Sequence, residues 1–167
     1  MNLQTDLSDL VATNTGMVVV RFAGDSGDGV QILGAQFAKS SALSGHDILT
    51  FPDFPAEIRA PLGTTMGVSA FQIQFGGPII LTHGDDVDVL IVFNPAALKT
   101  NIQSLRKGGL LIVDESHFNK RGFKKAGYDE DPLETAACAN FQVLKIDIMH
   151  RTEDAVADTG ASKKQSD

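Results

Sequence analysis

The segment Gly24-Asp25-Ser26-Gly27-Asp28-Gly29 carries the strongest local chemical signal in this sequence. Its glycines let backbone amides approach an anion closely, and a helix opening near Gly29 would aim its positive end at the same point. The natural guest of such a loop is a phosphate-bearing ligand, with Gly24, Ser26, Gly27, Asp28 and Gly29 as the candidate binding residues. The spacing is G-x-x-G-x-G. It is not the G-x-G-x-x-G of dinucleotide folds, and no Gly-Lys-Ser/Thr follows as a P-loop requires. Asp25 and Asp28 add two carboxylates that repel a bare phosphate unless a cation offsets them. A tight strand-to-helix turn without any ligand is the plain alternative, and both stay open at this level.

Other chemistry-bearing residues are more scattered. Gly27-Asp28-Gly29 has the form that opens a thiamine-diphosphate motif, but the first asparagine after it is Asn94, too late in the chain, so the motif is read as absent. Glu57 and Arg59 lie in a proline-rich loop; Arg59 either meets a phosphate or carboxylate, or pairs with Glu57 or a neighbouring subunit. His46, His83, His117 and His150 lack metal-ligand spacing, and Ser26 lacks the G-x-S-x-G setting of a nucleophile. Cys138, the single cysteine, excludes an internal disulfide and a cysteine-ligated zinc or iron–sulfur site built from this chain alone. It reads as a small buried filler.

The elements that must position these residues follow from patterning. Residues 1–15 read as an N-terminal arm. Met17 to Ala23 is a nearly continuous β-branched run suited to a strand buried on both faces, and it reads as a first parallel strand. The glycine loop follows it, then a helix with Val30, Leu33, Gly34, Phe37, Ala38 and Ser41 on one face, closed by Gly45. Asp47 to Phe51 is a second strand, completing a βαβ-type unit. Pro52, Pro55 and Pro61 make the stretch from Phe51 to Thr65 an irregular loop.

From Gly67, strict alternation of Phe71, Ile73 and Phe75 against Gln72 and Gln74 predicts a half-exposed strand, antiparallel or at an edge. Val87 to Phe93 is a buried strand, with Asn94 and Pro95 as start signals for a helix carrying Leu98, Ile102 and Leu105 inward. Gly108-Gly109 is read as its end, Leu110 to Val113 as another buried strand, with Asp114 at its carboxyl end. Lys120-Arg121 and Lys124-Lys125, followed by Asp129, Glu130, Asp131 and Glu134, read as a solvated loop of mixed charge. Phe141 to Ile148 is the last clear strand. Thr152 to Ala157 reads as a short helix stopped by Gly160. Ser162-Lys163-Lys164-Gln165 has the form of a capping box, which fits either a frayed tail or a helix into a further domain.

Composition bounds the function. The chain has 167 residues and a net charge of −7, the size of one ordinary globular domain. The acidic balance argues against nucleic acid and anionic membranes as partners. No apolar run is long enough to span a bilayer, residues 1–15 lack a signal-peptide pattern, and the default location is cytoplasmic.

Taken in order, Gly24 to Val30, Phe51-Pro52-Asp53-Phe54-Pro55-Ala56-Glu57-Ile58-Arg59-Ala60-Pro61-Leu62-Gly63, Gly67 to Ile73 and Asn94 to Lys99 resemble one family closely. It is the gamma-type domain of the 2-oxoacid:ferredoxin oxidoreductases, in the form found at the N-terminus of the fused alpha subunit of 2-oxoglutarate-type enzymes. The resemblance spans about residues 17–160.

The resemblance implies a three-layer α/β/α, Rossmann-like domain with a mixed, mostly parallel sheet over residues 16–160, and a linker or helix into a downstream domain from 161. It implies a whole enzyme that oxidatively decarboxylates a 2-oxoacid, 2-oxoglutarate being favoured, to an acyl-coenzyme A with ferredoxin as acceptor. That enzyme would use thiamine diphosphate, magnesium, iron–sulfur clusters and coenzyme A, the cofactors held by partner domains or subunits. This piece would be structural and silent alone, with Gly27, Asp28 and Gly29 shaping the turn and Arg59 meeting coenzyme A or a subunit. The family loop often reads Gly-Gly-Gln-Gly where this chain has Ser26-Gly27-Asp28-Gly29, which adds a negative charge. A free-standing NAD-binding module using the same loop and a pure interaction domain are the rival readings.

Overall fold

The computed structural model describes residues 16–25, 27–54, 67–76, 80–148 and 150–151. The expectations for the arm at 1–15, for the proline-rich loop beyond Phe54 and for everything after Arg151 lie outside these residues. Strand β1 (Val18–Asp25) leads through the glycine loop into helix α1 (Val30–Leu43) and strand β2 (Ile48–Asp53). Strands β3 (Val68–Phe75) and β4 (Val87–Val92) follow, then helix α2 (Pro95–Asn101), a 3-10 turn (Ile102–Ser104), strand β5 (Leu105–Asp114), helix α3 (Lys120–Ala126), a second 3-10 turn (Pro132–Glu134) and strand β6 (Gln142–Ile146).

The strands form one six-stranded sheet in the order β2-β3-β1-β4-β5-β6. Pairs β1–β4, β4–β5 and β5–β6 are parallel, while β3 runs antiparallel to both β1 and β2. The sheet is therefore mixed and mostly parallel, as expected. The βαβ unit is split: β1 and β2 run the same way, but β3 is wedged between them. Contrary to the expectation of an irregular loop from Phe51, β2 runs on through Pro52 to Asp53, because an edge position tolerates the missing N–H of Pro52.

The two faces of the sheet carry different helices. Val20, Phe22, Phe71 and Ile73 face α1, which seats Val30, Gly34 and Ala38 on them. Gly34 is required by this contact, because a Cβ there would lie 2.3 Å from the Phe71 ring. Val19, Ala23, Leu90, Val92, Leu111 and Val113 face the other way, toward Ala97 and Leu98 of α2 and toward Cys138.

Several expectations are corrected. Strand β3 is neither an edge nor half-exposed: it lies between β1 and β2, and Gln72 and Gln74 are buried. Alternation there reflects a change from apolar to polar contacts, since the Gln72 amide donates to the carbonyls of His83 and Gly84. Leu33 is exposed rather than on the packed face of α1. Helix α2 stops at Asn101, and Gly108-Gly109 lie inside β5, where the β4–β5 register slips between Val87 and Val89. Lys120 to Lys125 form helix α3 instead of a loop, because Asn119 caps it by accepting from the N–H groups of Arg121 and Gly122.

Candidate functional site

From β1 the chain crosses through α1 toward β2 on one side of the sheet, and from β4 through α2 toward β5 on the other. The reversal falls between neighbours β1 and β4, and in open α/β sheets a ligand crevice forms at the carboxyl ends of such a strand pair. The glycine loop and Asn94 are the two rims of this crevice.

The loop is tightly specified. The Asp28 carboxylate accepts from the Asp25 N–H at 2.7 Å, and the Asp28 N–H donates to the Asp25 carbonyl at 3.0 Å. Gly24 makes room for this clasp, since a Cβ there would sit 2.7 Å from Asp28 Oδ2. Gly29 is left-handed, with φ 70°, and begins α1 with no side chain capping the helix and no acid in its first turn. The α1 N-terminus thus keeps the amide edge that an anion uses. Gly27 and Gly29 face open space. Ser26 and Arg59, together with Glu57, lie outside the described residues.

Asn94 joins the two rims. Its side-chain oxygen accepts from the Ala97 N–H at 2.9 Å and caps α2, while its amide donates to Asp25 Oδ1 at 3.0 Å and Asp28 Oδ2 at 3.3 Å. The fold therefore brings to the loop the asparagine that sequence distance had set aside. Lys125 of α3 approaches Asp25 to 3.8 Å. These groups, with His117 and Ala126, line a cavity of about 150 Å³.

Burial pushes the Asp25 carboxyl above its ordinary value, and the neighbouring Asp28 charge adds to this. Lys125, the Asn94 amide and His117 pull it back. Beside the cavity, the buried carboxylate of Asp114 accepts from the Ser116 hydroxyl at 2.8 Å and lies 3.2 Å from His117 Nδ1. Asp114 also accepts from the Ile148 N–H, tying the end of β5 to the chain leaving β6.

A second polar constellation escaped the sequence reading. Arg21, within a strand otherwise apolar, donates to Asn101 Oδ1 at 2.7 Å, Gln72 Oε1 at 3.1 Å and Asp53 Oδ2 at 2.8 Å. A charged residue inside a run read as buried on both faces was the signal. It predicts a fixed network, because a buried guanidinium must satisfy its donors. Among the described residues, no group of three or more metal-ligating side chains converges. No described helix is long and apolar enough to cross a membrane.

The crevice thus offers backbone amides, carboxylate acceptors, an ammonium and an imidazole. Residues 19–163 match the family model described as pyruvate ferredoxin/flavodoxin oxidoreductase. The chain belongs to that family. It is 51% identical over 147 residues to the 2-oxoglutarate oxidoreductase subunit KorA of Mycobacterium tuberculosis, covering 88% of this chain and 22% of the relative. The chain thus spans about a fifth of the length of that curated relative.

Two solved structures share the fold. One is a 2-oxoglutarate:ferredoxin oxidoreductase from Magnetococcus marinus with 2-oxoglutarate, coenzyme A and succinyl-CoA bound. Its TM-score is 0.65 at 23% identity, over 92% of this chain and 23% of that one. The other is the gamma subunit of a keto/oxoacid ferredoxin oxidoreductase from Geobacter sulfurreducens. Its TM-score is 0.58 at 19% identity, over 90% of this chain and 70% of that one. The three-layer α/β architecture is that of this family.

Proposed function

We propose that this chain is the gamma-type domain of a 2-oxoglutarate:ferredoxin oxidoreductase, an enzyme that converts 2-oxoglutarate and coenzyme A to succinyl-CoA and carbon dioxide while reducing ferredoxin. The observation that carries the substrate is the 51% identity to KorA, well above the level at which only a fold is shared. The domain's own part is to shape and bind. The amide edge at Gly27 and Gly29 and the open N-terminus of α1 suit a phosphate of coenzyme A, with Lys125 offsetting the Asp25 charge. Arg59 supplies a second cation from the proline-rich loop.

Thiamine diphosphate with its magnesium does not fit this loop. Asn94 spends its oxygen on the α2 cap and turns its amide, a donor, toward the carboxylates, so it gives a metal no oxygen ligand. Nor can Cys138, single and buried, hold an iron–sulfur cluster. On this reading both cofactors belong to other domains or to a partner subunit, and ferredoxin docks there.

Oxygen-free purification of the native polypeptide that carries this sequence tests the proposal. A chain several times longer, copurifying with a brown, cluster-bearing partner, is the expected result. A colourless, unpartnered protein of this size would overturn it. In the whole enzyme, Arg59→Ala should raise KM for coenzyme A at least tenfold with subunit assembly intact; weakened assembly at unchanged KM would make Arg59 an interface residue.

A further inference from the structure

Among the described residues, the α1 side of the sheet is covered over only half its width. Strand register lays one row of side chains across it: Phe22, Ile91, Ile112 and Leu144, on β1, β4, β5 and β6 in turn. A second row runs Val20, Val89, Leu110, Gln142. Beneath α1 these rows are closed, with Phe22 3% and Val20 5% exposed. Beyond α1, Val89, Ile91, Leu110, Ile112 and Leu144 are all only half-buried. On the opposite face the alternate residues of β4 and β5, Leu90, Val92, Leu111 and Val113, are each 0% exposed, while Val143 of β6 is 37% exposed. Strands this apolar on both faces are built to be covered on both.

The chain leaves β6 toward the half-covered side, where Ile148 packs against the α1-side core. Residues 152–167 contain Val156 as their single large apolar residue. The KorA relative extends far beyond the matched region. We infer that the strip Val89, Ile91, Leu110, Ile112 and Leu144 is the seat of an apolar helix from a downstream domain of the same longer polypeptide. The domain is thereby fixed to its neighbour through the sheet face, on the side opposite α2. This inference rests on the family reading and on the longer polypeptide, and not on which 2-oxoacid is used.

Photo-leucine, isosteric with leucine and so neutral to folding, is incorporated into the full-length protein, and cross-linked peptides are read by mass spectrometry after irradiation of the intact enzyme. Leu110 and Leu144 should link to peptides C-terminal to residue 167, while fully buried Leu98 and Leu111 link only within residues 1–167. Mixed light and heavy cultures should show these links to be within one polypeptide. Links from Leu110 and Leu144 confined to residues 1–167, links to a second copy or to another subunit, or no links at all would each overturn the inference. In none of those cases would the 2-oxoglutarate assignment fall with it, since that is read from substrate-dependent ferredoxin reduction.

Discussion

The Asn94 side-chain amide donates to Asp25 Oδ1 at 3.0 Å, joining residues 69 apart in sequence across the β1–β4 boundary. One side chain thereby caps α2 and holds the glycine loop. Asn94→Ala removes the cap and both loop contacts, and should cost about 1–3 kcal/mol in urea unfolding of the chain. Asn94→Asp keeps the capping oxygen but sets a third carboxylate against Asp25 and Asp28. Its deficit relative to wild type should therefore shrink as pH falls from 7 toward 4, whereas the Asn94→Ala deficit should change less.

Asp25 gives a pH dependence of defined sign. Its carboxyl is raised in the folded protein, by burial first and by Asp28 second, so the folded state binds the proton more tightly than the unfolded one. Stability from this group is present at low pH and declines as pH rises from the ordinary carboxylate value through the raised folded value. Asp25→Asn should remove that decline, and pH-dependent unfolding curves of the two proteins should converge at low pH. Lys125→Met should push the Asp25 titration higher still, read by carboxyl NMR.

Arg21 holds three acceptors at once, and its side chain is 15% exposed. Arg21→Met leaves Asn101 Oδ1 and Gln72 Oε1 without this donor in a buried setting, at an expected cost of about 3–5 kcal/mol by chemical denaturation. Arg21→Lys should recover less than half, because an ammonium cannot match the planar fork. Asp53→Asn, at the half-exposed end of the network, should cost under about 1 kcal/mol.

Gly34 sits where α1 meets Phe71, with no room for a Cβ. Gly34→Ala should therefore destabilise by about 1–3 kcal/mol despite alanine's better helix propensity, and thermal unfolding checks the sign.

Local rules made much of this fold legible. The runs Met17 to Ala23, Val87 to Phe93 and Leu110 to Val113 are so apolar that burial between layers is the natural reading, and Asn94-Pro95 marks the start of α2 where it occurs. What failed depended on tertiary pairing. The insertion of β3 between β1 and β2 is a long-range choice that periodicity does not record, so Gln72 read as solvent-facing when it serves Arg21 and the His83 and Gly84 carbonyls. The glycines at 108 and 109 read as a helix stop because a helix and a register slip call on the same residue type. At the candidate site, the spacing of the glycines marks the turn from β1 into α1. Asn94, Lys125 and His117 were not placed beside it, because they come from the ends of other elements and meet Asp25 only once the parallel strands are aligned.

The reaction proposed for the whole enzyme is the 2-oxoglutarate-dependent reduction of ferredoxin. Ferredoxin reduction by the native, oxygen-free enzyme should require coenzyme A and proceed with 2-oxoglutarate at a kcat/KM at least a hundredfold above that with pyruvate. Pyruvate as the better substrate, or no 2-oxoacid-dependent reduction by an enzyme carrying its full cofactor complement, would contradict it.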